Sequence, residues 1–160
     1  KSFRGENIME KGKTPAESYT EQVHLVNHAD LNGYKRLFGG TLVSWIDIVA
    51  GIVARRHSGR NVTTVAIDSL EFIKPAYAND LIVLCGKLTY VGKTSMEVCI
   101  TSYVEHLNGT RNTINKAYFV MVALDENERP TAVPPLILST DEEKREYEAA
   151  KKRKELRKLK

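Results

Sequence analysis

The chain has 160 residues, 42% of them hydrophobic and 28% charged, ordinary proportions for a globular protein and enough for one domain with a real core. Its longest apolar run holds about 13 residues and is broken by an aspartate, which excludes a membrane-spanning helix of the usual ~20 residues. The net charge is +4, but residues 141–160 hold nine of the 24 Lys/Arg and six of the 20 Asp/Glu, so most of the excess belongs to a tail and no nucleic-acid partner is expected.

Residues 1–18 are polar, without the apolar stretch of a signal peptide, and read as a flexible N-terminal arm. Lys1 to Ile8 precede Met9, so part of this arm reads as an expression remnant. Ser18 to Val26 is strand-like, and Asn27 to Gly40 is a loop rich in Asn, His, Asp and Gly. An apolar stretch from about 41 to 57 carries helix punctuation: Arg55-Arg56-His57 in its last turn and Gly59 just beyond. Four strand-like runs follow, Val62 to Ile73, Leu81 to Val91, Thr94 to His106 and Thr113 to Leu124. Gly92-Lys93 and Asn108-Gly109 are turn signals that join neighbouring strands as hairpins. Thr140-x-x-Glu143 opens a C-terminal segment with acidic first turns and basic last ones, the pattern of a solvated, charged helix over 139–160. Cys85 and Cys99 lie in separate strand-like runs and do not make a disulfide framework, which fits a reduced, cytoplasmic setting.

One strand, one long helix and four antiparallel strands in a single domain over 19–138 bury each other best if the sheet curls around the helix. This is an α+β hotdog fold, an antiparallel sheet of about five strands wrapped on one central helix, with the charged helix appended. Such a sheet leaves open edges, which pairing across a two-fold axis would cover, so at least a dimer is expected.

Asp47 is the only charged residue between Leu42 and Ala54. A helix apolar all round is normally buried, and an unpartnered carboxylate there costs several kcal/mol or takes up a proton. Asp47 is therefore either a partnered structural carboxylate or a functional one. Ser44, three residues earlier, shares its face. Other chemistries lose support on inspection. Gly86 and Gly92-Lys93-Thr94 miss the phosphate-loop spacing by one residue and lead into a strand. Ser44 lacks the glycines of a nucleophile elbow. His24 and His28 have metal-chelating spacing only on a helix, so no metal site is expected. What remains is Asp47, the Asn32 loop and Gly39-Gly40, whose free N–H groups at a helix start form a natural oxyanion site. Asp47 then serves as general base or as nucleophile. Gly40 and Asp47 are seven residues apart, about 10 Å along one helix axis, too far for one carbonyl to meet both. The two are expected to come from different chains, with active sites at a dimer interface.

Asp30-Leu31-Asn32, Leu37-Phe38-Gly39-Gly40, Trp45-Ile46-Asp47, Val62 to Asp68, Phe72-Ile73-Lys74-Pro75 and Val91-Gly92-Lys93-Thr94-Ser95 together resemble the hotdog-fold acyl-CoA thioesterases. That group includes the brain-type cytosolic acyl-CoA hydrolase and its bacterial relatives, and the likeness spans roughly residues 20–137. The resemblance implies hydrolysis of acyl-CoA to free acid and CoA, with CoA as part of the substrate and no further cofactor. It implies that Asp47 is the general base or nucleophile, Asn32 the loop asparagine acting from the partner subunit, and Gly40 the backbone donor. It implies that Gly92, Lys93, Thr94 and Ser95, with Lys74 and Pro75, line the CoA channel, and that Lys93, Lys74 and Arg60 neutralise CoA phosphates. It also implies a homo-oligomer, a dimer or a trimer of dimers. Lys35 stands where relatives commonly carry Gly. The alternative is a non-catalytic acyl-CoA-binding or sensing protein on the same fold, although no helix-turn-helix output domain precedes the core.

Overall fold

A computed structural model describes residues 11–160. Its elements are α1 (Pro15–Ser18), β1 (Thr20–Leu25), α2 (Gly39–Ser58), β2 (Asn61–Phe72), β3 (Leu81–Val91), β4 (Ser95–Glu105), β5 (Arg111–Leu124) and α3 (Asp141–Lys158), with a single 3-10 turn at His28–Asp30. The five strands form one antiparallel sheet in the order β1-β3-β4-β5-β2. The strand–helix–four-strand order and both hairpins follow the sequence reading. Gly92 N–H bonds Ser95 O at 2.8 Å, and Gly109 N–H bonds His106 O at 2.8 Å.

The arm, expected to be flexible, is tied down where it is described. Lys13 bridges to Leu136, and α1 buries Pro15 and Ser18. The expression-remnant reading of residues 1–8 lies outside the described residues.

α2 lies in the hollow of the sheet because one of its faces is apolar at helical spacing. Leu42, Ile46, Val49, Ala50, Val53 and Ala54 are buried against Ile82, Leu84, Ile100, Ala117 and Phe119 of the strands. Burying each large aliphatic side chain contributes roughly 1.5–3 kcal/mol. The helix runs close to β3 at Gly86, where a Cβ would lie 2.7 Å from Cγ1 of Val49. It ends as expected at Gly59, whose backbone is left-handed (φ 65°) and whose N–H bonds Arg55 O at 2.9 Å.

Two expectations need correction. First, α2 is not buried all round in one protomer: Ser44, Asp47 and Ile48 are exposed. The sheet has five strands and one hollow, which cover one side of the helix only. Second, the charged tail is not simply solvated. α3 docks on the outer face of the sheet and crosses four strands. Lys87 of β3 pairs with Glu146 at 2.7 Å, Arg153 grips Glu97 of β4 and lies 3.8 Å from the Tyr118 ring centre of β5, and Arg157 pairs with Asp68 of β2. Its N-terminus has a capping contact, Glu143 N–H to Thr140 Oγ1 at 3.1 Å, while the Glu143 carboxylate takes Ser139 N–H rather than that of Thr140.

β1 and β2 are the edges of the sheet. β2 carries irregularities at Val65 and at Asp68, and Asp68 reaches Arg157. Val65, Ile67, Phe72 and Ile73 along this edge are exposed, as is Ile48 on the neighbouring face of α2. Among the described residues no helix is long and apolar enough to cross a membrane.

Candidate active site

The exposed side of α2 presents Asp47 beside β2. Thr64 Oγ1 donates to Asp47 Oδ1 at 2.6 Å and also lies 3.3 Å from Met121 Sδ. A short hydroxyl–carboxylate bond fixes the carboxylate's orientation and leaves its second oxygen for another proton. The expected buried charge is thus an exposed one with a single side-chain partner among the described residues. Thr64 carries no sign of this role in the sequence. Only the fold brings it, seventeen positions away, beside Asp47. Ser44 does not join this pair; its hydroxyl bonds back to Thr41 O at 2.6 Å.

A second group assembles at the N-terminal end of α2. Asn32 sits in a turn held by its own side chain, whose Oδ1 accepts Tyr34 N–H at 2.9 Å and Arg36 N–H at 3.2 Å. Lys35 adopts a left-handed backbone (φ 59°), so the turn keeps the conformation that favours glycine although a lysine occupies it. The loop is strapped to the β2–β3 connection by Leu37 N–H to Ala76 O and to itself by Phe38 N–H to Asp30 O, both at 2.8 Å. These straps bring Asn32, Gly39, Phe72, Lys74, Pro75 and Ile114 around one cavity of about 260 Å³. Leu42 N–H to Phe38 O is the first helical bond, so the N–H groups of Gly39, Gly40 and Thr41 precede the helical ladder. A Cβ at Gly40 would lie 2.7 Å from the exposed Phe38 ring, so any side chain there would have to displace that ring.

A third group lies at the far end of the sheet. The Gly92–Ser95 turn adjoins the end of β5, with Ser95 opposite Val122 and Ala123 N–H bonded to Thr94 O at 3.1 Å. Arg60 precedes Asn61, which pairs with Leu124 at the same end. Arg60 shares a cavity of about 360 Å³ with Arg55, Asp125 and Glu126. Lys74 and Pro75, at the Phe72 end of β2, are separated from Arg60 by the length of a 12-residue strand, about 35–40 Å. The predicted CoA-channel residues therefore fall into two sets in one protomer, and so do Asp47 and Gly40.

His24 stacks on Trp45 with ring centroids 4.2 Å apart. Among the described residues, no group of three or more His, Cys, Asp or Glu is arranged to hold a metal.

The thioesterase superfamily model matches residues 34–110. An uncharacterized acyl-CoA thioester hydrolase of Bacillus subtilis is 39% identical over 128 residues, covering 79% of this chain and 74% of the relative. An acyl-CoA hydrolase from Staphylococcus aureus, solved with butyryl coenzyme A and coenzyme A, superposes with a TM-score of 0.87 at 34% identity, over 92% of this chain and 90% of that one. An apo-hexameric acyl-CoA thioesterase superposes with a TM-score of 0.88 at 38% identity, over 92% and 96%. Three alanine variants of the staphylococcal hydrolase, at an asparagine, an aspartate and a threonine, fall at the sequence intervals that separate Asn32, Asp47 and Thr64 here. On the matched family model, the identity and span of the Bacillus relative and the shared fold, this chain belongs to the thioesterase superfamily, among its acyl-CoA thioester hydrolases.

Proposed function

We propose that the protein hydrolyses acyl-CoA thioesters to a free acid and CoA, at sites each completed by two subunits. The observation that carries this reading is the Thr64–Asp47 pair on an exposed, largely apolar face, with the Asn32 and Gly39-Gly40 group of the same chain about two turns away at the start of the helix. An antiparallel pairing of two β2 edges about a two-fold axis at Asp68 sets Thr64 opposite Phe72 of the partner subunit. The Phe72 ring lies 3.4 Å from the Cβ position of Gly39, so this register carries the glycine N–H groups of one chain toward Asp47 of the other. Dimers of this kind combine further into the assembly for which a trimer of dimers is our reading, supported by the hexameric relative.

Asp47 acts in one of two ways. As general base it takes a proton from water while the water oxygen bonds the thioester carbonyl carbon. As nucleophile its carboxylate makes that bond itself, and water then splits the resulting anhydride. In either route the carbonyl oxygen gains negative charge, and Gly40 N–H donates to it with the helix dipole behind it. Collapse breaks the C–S bond, and the thiolate leaves and takes up a proton. Asn32 holds the water or the carbonyl. The chemistry needs no group beyond the substrate and water. The free thiols of Cys85 and Cys99 favour a cytoplasmic setting.

Free-thiol release over acyl-CoAs of increasing chain length tests the reading. Release is expected from wild type, and Asp47→Asn is expected to abolish it while keeping the fold and CoA binding. Binding of CoA with no release at any chain length would replace hydrolysis by the acyl-CoA-binding alternative.

A further inference from the structure

Gly92 marks a place where two polar groups converge on bare backbone. A Cβ there would lie 2.7 Å from Nζ of Lys154 and 2.9 Å from Oγ of Ser95. Lys154 belongs to α3, 62 positions along the chain, and reaches the turn only because α3 docks across the sheet. The missing side chain of Gly92 leaves a notch, and a lysine ammonium and a serine hydroxyl stand on its rim.

The charge of Lys154 is not consumed by the fold. Its helix neighbours Arg153 and Arg157 are engaged by Glu97 and Asp68. Lys154 instead lies 5.0 Å from the centre of the Tyr90 ring, an interaction that holds the ammonium in place without neutralising it. Ser95 Oγ has no hydrogen-bond partner among the described residues. Lys93 is exposed in the same turn. Lys151 and Lys158 lie three and four residues from Lys154, hence on its flank of α3. A lysine ammonium and a free hydroxyl at the bare backbone of Gly92, with Lys93 in the same turn and Lys151 and Lys158 along the docked helix, make a local field and a donor set suited to a phosphate.

The turn is also correctly placed. Ser95 is opposite Val122 of β5, which is opposite Thr63 of β2, next to the Asp47 partner Thr64. Two strand spacings separate them, on the order of 10 Å. A substrate with its thioester at Asp47 extends an elongated arm toward this end of the same protomer.

We infer that Lys154, with Ser95 and the bare backbone of Gly92, forms a cradle for a phosphate of the CoA nucleotide, so that the C-terminal helix is part of the substrate site. This rests on the thioesterase reading. Its test is calorimetric binding of CoA, dephospho-CoA and pantetheine to the full chain and to Lys154→Met and Lys154→Arg. Methionine keeps packing against Tyr90 and removes the charge; arginine keeps both. Lys154→Met is expected to weaken CoA binding about tenfold, the order of one lost bond to a charged group. It is expected to leave pantetheine binding and kcat unchanged and to raise KM for acyl-CoA, while Lys154→Arg stays near wild type. If dephospho-CoA shows the same loss, the cradle takes the diphosphate; if it shows none, it takes the 3′-phosphate. CoA affinity unchanged in Lys154→Met, an equal loss for pantetheine, or no CoA binding by wild type would overturn the inference. A wild type that binds CoA and shows the Lys154 effect without releasing thiol would keep the cradle and remove hydrolysis.

Discussion

Thr64 Oγ1 lies 2.6 Å from Asp47 Oδ1, joining the edge strand β2 to the exposed face of the central helix. That bond orients a carboxylate that has no other side-chain partner among the described residues. It also ties the candidate site to the strand whose free edge is available to a second subunit.

Thr64→Val keeps the shape of the side chain and removes this donor. We expect kcat for acyl-CoA hydrolysis to fall by about 10²-fold, the order of a misplaced base, with CoA affinity nearly unchanged. Steady-state thiol release together with CoA calorimetry checks it. A kcat within a factor of two of wild type would remove Thr64 from the site.

Ile48 and Ile67 are 53% and 44% exposed on the helix face and edge strand that flank Asp47. Introducing a charge there opposes burial against a second copy. Ile67→Lys and Ile48→Lys are expected to shift the assembly toward monomer and to lose turnover together with it. Sedimentation velocity and thiol release measured on the same samples decide; an active monomer would contradict the shared site.

Gly86 faces Val49 and Val53 of the central helix, at 2.7 and 3.1 Å from its Cβ position. Gly86→Ala forces a methyl group into that seam and should cost about 1–3 kcal/mol. A lowered urea midpoint with unchanged slope is the expected result.

Glu97 is 4% exposed and accepts two bonds from Arg153, at 2.7 and 3.1 Å, and one from Thr89 Oγ1 at 2.6 Å. Removing one partner leaves a buried charge uncompensated, so Arg153→Met should destabilise the fold by about 3 kcal/mol. Arg153→Met with Glu97→Gln should recover part of that loss. Urea unfolding of the single and double variants measures both.

His57 is fully buried, with Nε2 2.7 Å from Pro134 O, and burial pushes its pKa below the usual 6.5. His24 is lowered as well, again chiefly by burial. The unfolded chain therefore binds these protons first as pH falls. Stability should be complete above pH 6.5 and decline as pH drops from there through the depressed folded values. Thermal melts at pH 7 and pH 5 are expected to show the drop, and His57→Gln should make it shallower.

The sequence by itself determined the elements and their order. Leu42 to Ala54 repeats apolar residues at helical spacing, Gly59 stops the helix, and two hairpin turns order the strands; each is a local signal that needs no distant partner. Asp47 and Gly39-Gly40 stood out as candidates for the same reason, as types out of place in their own neighbourhood. The tertiary structure alone decided what those residues touch. Asp47 is exposed because a five-stranded sheet covers one side of the helix, and Thr64 is its partner because β2 folds back beside it. The charged tail, read as solvated, docks because Glu97, Asp68 and Tyr118 on the outer face supply partners for Arg153 and Arg157 that no spacing within the tail reveals. Burial and pairing between distant segments depend on the surfaces that close around a residue, and local pattern carries no record of those.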